Sequence, residues 1–135
     1  MPKKLIHVVA AVICKENSVL ATRRGSGEFI NKWEFPGGKI EVGETPEEAL
    51  RREIWEELQV YINVRDFIMT AAYSYPNFDL RMDCYYCSIA SGVPTFLEHN
   101  GWKWVNHENI DLLDWLPADL EVVRAVKTKL LKMDC

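Results

Sequence analysis

The segment GGKIEVGETPEEALRREIWEELQV, residues 37–60, constrains the fold more than any other stretch of the chain. Thr45 is placed to cap a helix, Pro46 suits the first helical position, and Glu48, three residues after Thr45, completes a capping box. The pattern predicts a helix from Pro46 to Leu58. Leu50, Ile54 and Leu58 form its apolar face, and Glu53, Glu56 and Glu57 project within an arc of about 100° that borders that face. Between Glu41 and Glu57 stand seven glutamates, with Arg51 and Arg52 the basic residues, in a chain whose whole net charge is -4. Most charged helix faces are simply solvated, and Glu47, Glu48 and Arg51 fit that description. Glu53, Glu56 and Glu57 do not. Like charges three and four residues apart repel by a few tenths of a kcal/mol per pair, and crowding beside a core raises the cost. A divalent cation would relieve it, and clustered carboxylates are hard oxygen ligands suited to Mg²⁺ or Mn²⁺ rather than zinc.

Around this helix the chain alternates short apolar runs with turn residues. Strands are predicted over residues 4–14 and 19–24, separated by a turn at Glu16-Asn17-Ser18, and a glycine-bearing loop RGSGEF follows. A short strand runs into PGG. After the helix, VYINVRDFIMTAAYSY and FDLRMDCYYCSI read as a long hairpin joined at PNF, WKWV at 102–105 as a further strand, and PADLEVVRAVKTKLLK from Pro117 as a closing helix. The fold class expected is α/β, of the α+β type: a mixed sheet packed between two helices. A length of 135 residues with 48% apolar content suits one domain over residues 1–135. No charge excess calls for a nucleic acid polymer or a membrane surface, and no apolar run approaches a membrane span. The run from Leu5 to Cys14 is interrupted by His7 and reads as a core strand rather than a leader. Cys14, Cys84, Cys87 and Cys135 lack the spacing of a disulfide framework, so reduced thiols in a cytoplasmic setting are expected. CYYC at 84–87 has redox or zinc spacing, but on a strand residues three apart face opposite ways.

Read from Gly38, the chain gives G-x5-E-x7-R-E-I-x-E-E-x-Q-V, placing Gly38, Glu44, Arg52, Glu53, Ile54, Glu56, Glu57 and Val60 at the fixed positions. This resembles the Nudix box, G-x5-E-x7-R-E-U-x-E-E-x-G-U, where U is apolar, and WEFPGGKIEVGETPEEAL is similar to the MutT branch in particular. The resemblance implies a Nudix fold and attack of water on a phosphorus within a diphosphate linkage, giving a nucleoside monophosphate and pyrophosphate with the help of Mg²⁺. It also implies roles for particular residues. Metal binding falls to Glu53, Glu56, Glu57 and the carbonyl of Gly37. Arg52 becomes an orienter paired with Glu44 or Glu56, while Glu44 acts from the loop. Glu98, six residues before Trp104, is either a further metal ligand or base, or a solvated loop acid. Arg23 is either a phosphate or sugar contact or a strand-end arginine in solvent, and Phe35 and Phe78 either wall the base or belong to the core.

Asp119 lies where MutT-like proteins read the base edge, and equally suits the acid-favouring start of a helix. An ionised aspartate only accepts hydrogen bonds, which leaves 8-oxo-dGTP, CTP and 5-methyl-dCTP open as substrates. Pro76, sixteen residues after Val60, keeps an ADP-ribose or nucleotide-sugar pyrophosphatase as the alternative, and a non-catalytic nucleotide sensor is the rival of another class. Gln59 replaces the glycine of the box just past the helix, where a left-handed backbone is expected. His99 and His107 read as surface residues. Trp55, opposite the acids, needs cover from this chain or from a second copy, so both a monomer and a homodimer fit the sequence.

Overall fold

In a computed structural model, residues 3–135 are described. The elements in order are β1 (Lys4–Lys15), β2 (Ser18–Arg24), β3 (Trp33–Glu34), β4 (Gly37–Lys39), α1 (Pro46–Leu58), β5 (Tyr61–Ser74), β6 (Phe78–Ser91), β7 (His99–Val105) and α2 (Leu120–Leu131). Single 3₁₀ turns at Ile110–Leu112 and Pro117–Asp119 lead into α2. The sheet is mixed and runs β3-β2-β1-β6-β5, with β4 added on β1 and β7 on β2.

β1 is the hub because its central run is apolar on both sides. Val9, Ala11 and Ile13 pack beneath α1 with Leu50, Ile54 and Leu58, whereas Ala10 and Val12 pack with Val122, Val123, Val126 and Leu130 of α2. A strand covered on both faces needs no polar alternation, which is why VVAAVI reads as a continuous run. One edge of β1 pairs in parallel with β6 from Lys4↔Phe78 to Ile13↔Cys87. Its other edge is divided: Val8–Ala10 pair with β4 and Cys14–Lys15 with β2. The amino end of β4, at Gly37 and Gly38, lies on the side of this division nearer β2 and lines the polar site together with Glu57 near the carboxyl end of α1.

α1 forms as its sequence prescribes. Thr45 accepts the Glu48 N–H while the Glu48 side chain accepts the Thr45 N–H. Gln59 ends the helix in the left-handed conformation, φ 59 and ψ 35, with its amide donating to the Trp55 carbonyl at 2.7 Å. Trp55 remains 40% exposed and stacks on Tyr61 with ring centroids 4.7 Å apart.

The cysteine expectation is corrected. Cys14, at the end of β1, and Cys135, beyond α2, form a disulfide across 121 residues. The fold brings the two ends together, and no local spacing encodes that meeting. Cys84 and Cys87 are free and buried, one in each core layer, so strand alternation keeps the CYYC pair apart.

Candidate active site

Two adjoining concavities meet at the β3–β4 corner. The smaller, about 120 Å³, is walled by Phe29, Phe35, Tyr75, Phe78, Leu116 and Asp119. The larger is an open cleft of about 640 Å³ that includes Gly25, Ser26, Glu57, Glu98 and His99 in its lining. Arg24, Glu34, Gly37 and Gly38 border both. A ligand with an apolar ring at one end and a chain of charged groups at the other would span them.

The acids of α1 meet the cleft unequally. Gly38 leaves room for Glu53: a Cβ there would lie 2.3 Å from the Glu53 carboxylate. Gly37 is equally confined by its pairing with β1, where a Cβ would fall 1.9 Å from the Val9 carbonyl. Arg52 holds the array together. Its Nε and Nη2 grip Glu44 at 2.8 and 2.9 Å, Nη1 reaches Glu53 at 2.9 Å and Glu56 at 3.3 Å, and Nη2 also donates to the Lys39 carbonyl. The hydrogen bond from Arg52 is the main cause holding Glu44 below its ordinary range. Glu44 therefore anchors Arg52, and the pair ties the loop to the helix. Glu53 is pushed up by burial, against the pull of Arg52.

Glu57 is the most strained of the set. Burial first, then Glu53, Glu34 and Glu98, raise it to about 8. Its Oε2 is buried and has no hydrogen-bond partner among the described residues. Like-charged neighbours and an orphaned carboxylate oxygen are the conditions under which a hard cation binds, so the donor set fits a divalent ion. Of the α1 acids Glu57 lines the cleft, with Glu34 and Glu98 from other elements; the described residues close no three-ligand cluster, and Glu56 stays turned outward with more than half of its side chain exposed.

In the smaller cavity Asp119 is 2% exposed. Its Oδ1 accepts the Phe35 N–H at 3.2 Å, and it makes no side-chain cap to α2. The structure thus places it both in the cavity lining and at the start of α2. Burial, reinforced by Glu34, raises its carboxyl well above the usual range. Phe35 serves as wall and core together, its ring tilted against Trp115 with centroids 4.8 Å apart. Phe78 stacks on Tyr75 at 4.9 Å, and the ring of Phe29 meets Tyr75 at a tilt with centroids 5.2 Å apart.

Arg23 is a correction. Its guanidinium turns to β7 and bonds Asn100, while the neighbouring Arg24 borders both concavities and grips Glu34 at 2.8 and 3.1 Å. Adjacent strand residues face opposite ways, so one of the two arginines had to turn out, and TRR alone does not say which. His99, read from the sequence as a surface residue, lines the cleft instead: its Nδ1 is buried without a hydrogen-bond partner among the described residues, and burial lowers its affinity for a proton. Sequence reasoning missed Arg24, Glu34, Phe29 and Tyr75. Glu34 is adjacent to the PGG signal, but Phe29 and Tyr75 lie in loop and turn segments with no motif.

The NUDIX domain pattern matches residues 4–126. The chain is 32% identical over 125 residues, 91% of its own length, to the 8-oxo-dGTP diphosphatase of Haemophilus influenzae, of which it covers 92%. It is 28% identical over 123 residues to the CTP pyrophosphohydrolase of Escherichia coli, covering 90% of this chain and 91% of that one. Among solved structures it superposes on the MutT protein of methicillin-resistant Staphylococcus aureus 252 with a TM-score of 0.75 and 34% identity, over 95% of this chain and 99% of that one. The chain belongs to the Nudix family and is a hydrolase of the MutT type.

Proposed function

We propose that the protein hydrolyses a nucleoside triphosphate to the monophosphate and pyrophosphate, with the base in the small cavity and the phosphates along the acidic cleft. The observation that carries this reading is the junction of the two concavities at Arg24, Glu34, Gly37 and Gly38. The cavity suits a flat ring: aromatic faces wall it, and Asp119 offers a polar edge at its end. Glu53, Glu57, Glu98 and the Gly37 carbonyl would hold Mg²⁺, which supplies charge neutralisation and an acidified water when bound. Arg52 fixes Glu53 by charge-assisted hydrogen bonds. Arg24, already paired with Glu34, sits where the sugar or first phosphate passes. Glu53 and Glu98 are the residues assigned to metal and proton handling at the attacking water, and Glu56 joins them from the rim.

8-oxo-dGTP and CTP are the substrate classes that the similar proteins suggest. The test is a panel of dNTPs, NTPs, 8-oxo-dGTP, 5-methyl-dCTP, ADP-ribose and sugar nucleotides with Mg²⁺, comparing kcat/KM and identifying pyrophosphate or phosphate as product. Glu53→Gln is expected to leave the fold intact and lower turnover by about 10² or more. Near-normal Mg²⁺-dependent hydrolysis in that variant rules the assignment out. Binding of nucleotides without turnover across the panel identifies a sensor instead.

A further inference from the structure

The β2–β7 ladder carries a bulge beside the cleft, and it is held by side chains that no step above uses. Arg23 pairs with Gly101 and Arg24 with His99, so Asn100 is the extra residue on β7. The Asn100 side-chain oxygen accepts from Arg23 Nε at 2.8 Å, and its backbone carbonyl accepts from Nη2 at 3.0 Å. Its amide nitrogen donates to Asn31 Oδ1 at 2.7 Å. Because a guanidinium only donates, the oxygen of Asn100 must face Arg23 and the amide must face Asn31. Arg23 is backed by Trp33, 5.6 Å from the ring centroid. Gly101 supplies the space the guanidinium fills, since a Cβ there would lie 3.0 Å from Nε. Asn31 holds a left-handed φ of 68° near the end of the loop that carries Phe29. The bracket therefore joins a loop of the base cavity to the strand that follows Glu98.

Glu98 and His99 immediately precede the bulge, and Gly25 packs so tightly on this corner that a Cβ would come within 2.9 Å of the Glu98 carbonyl oxygen. Bulges re-aim the side chains next to them. Erasing this one by a one-residue slip of β7 would exchange the faces of residues 98 and 99. We infer that Asn100, gripped by Arg23 and Asn31, is a positioning residue that locks the bulge and so keeps Glu98 turned into the phosphate cleft. The inference rests on the reading of Glu98 as a working acid of that cleft.

A double-mutant cycle tests it, with kcat, KM and Tm measured for Glu98→Gln, Asn100→Ala, the pair together, and Asn100→Asp, on whichever triphosphate of the panel is turned over best. Asn100→Ala is expected to lower kcat about tenfold or more, the scale of a misplaced catalytic group, with KM little changed. In the Glu98→Gln background the same substitution adds little. Asn100→Asp keeps an acceptor for Arg23 and recovers most of the lost turnover, which a merely structural role would not require. Arg23→Lys keeps the charge but loses the fork, and reproduces the Asn100→Ala pattern in a chain that retains Asn100. Equal losses in both backgrounds, or unchanged kcat in Asn100→Ala while Glu98→Gln is impaired, overturn the inference. A silent Glu98→Gln removes the reading of Glu98 itself. The register is checked apart from activity: cross-strand nuclear Overhauser contacts between Arg24 and His99 weaken in Asn100→Ala, and their persistence at full strength overturns the bracket.

Discussion

Glu57 combines burial, three acidic neighbours and an unpartnered oxygen, and so its protonation should be visible in the stability of the whole chain. Its carboxyl is raised from 4.5 to about 8. A group that is harder to ionise when folded withdraws stability as pH rises: its contribution is intact below the unfolded value and is lost as pH climbs through the folded one. In metal-free protein the Tm should therefore fall between about pH 4.5 and 8, and fall less steeply in Glu57→Gln. Mg²⁺ should raise Tm more at the alkaline end, because the cation competes with the proton. Parallel profiles for wild type and variant, measured by thermal unfolding, would count against Glu57 as the source. Asp119 is the matching case in the other cavity. Arg24, a cation beside it, is committed to Glu34, and burial, reinforced by Glu34, raises the carboxyl well above its usual range, toward the protonated form that can donate as well as accept. The sequence showed the position of Asp119 but treated it as ionised, since burial is a property of the fold. Asp119→Ala is expected to change relative kcat/KM among nucleotides by about tenfold, the scale of one base-edge contact, with a smaller change in Tm. Equal loss on every nucleotide would remove base reading from this residue.

At the scale of elements, α1 was legible from end to end because its signals are local. The Thr45 and Glu48 cap, Pro46 and the spacing of Leu50, Ile54 and Leu58 act within one or two turns, and the helix observed is Pro46–Leu58. Gln59 is the local conflict. A residue with a Cβ in the left-handed region costs about 1 kcal/mol, partly offset by its side-chain hydrogen bond to the Trp55 carbonyl. Gln59→Gly should accordingly stabilise by about 0.5 kcal/mol in urea unfolding, whereas Thr45→Ala should cost about 1 kcal/mol by removing the cap. A destabilised Gln59→Gly would mean that the side-chain bond outweighs the backbone cost. The arginines at 23 and 24 show where legibility stops. Alternation along β2 puts them on opposite sides, but which side is inward depends on pairing with β7 and on a bulge at Asn100, some seventy-seven residues away in the chain. Pairing across that distance leaves no periodic trace in the sequence.

For the whole molecule, the same limit hid the disulfide. The mixed sheet between two helices followed from the order of apolar runs, and the core placement of β1 followed from the apolar run that ends at Cys14. The approach of Cys14 to Cys135 required every element between them to be in place. Closing so long a loop restricts the unfolded chain strongly, and bonds of this kind stabilise by about 2–4 kcal/mol. Reduction should then lower Tm by about 10 °C for a chain of this size. Cys135→Ser should reproduce the reduced protein and be insensitive to reductant. Neither cysteine lines the smaller cavity or the acidic cleft, and the bond joins the end of β1 to the segment beyond α2, away from Asp119 at the start of that helix. kcat/KM at a temperature well below unfolding should therefore be unaffected by reductant. Equal Tm values with and without reductant would show that the thiols do not pair in solution. A loss of turnover on reduction without a loss of Tm would show that the end of α2 communicates with the base cavity along the helix.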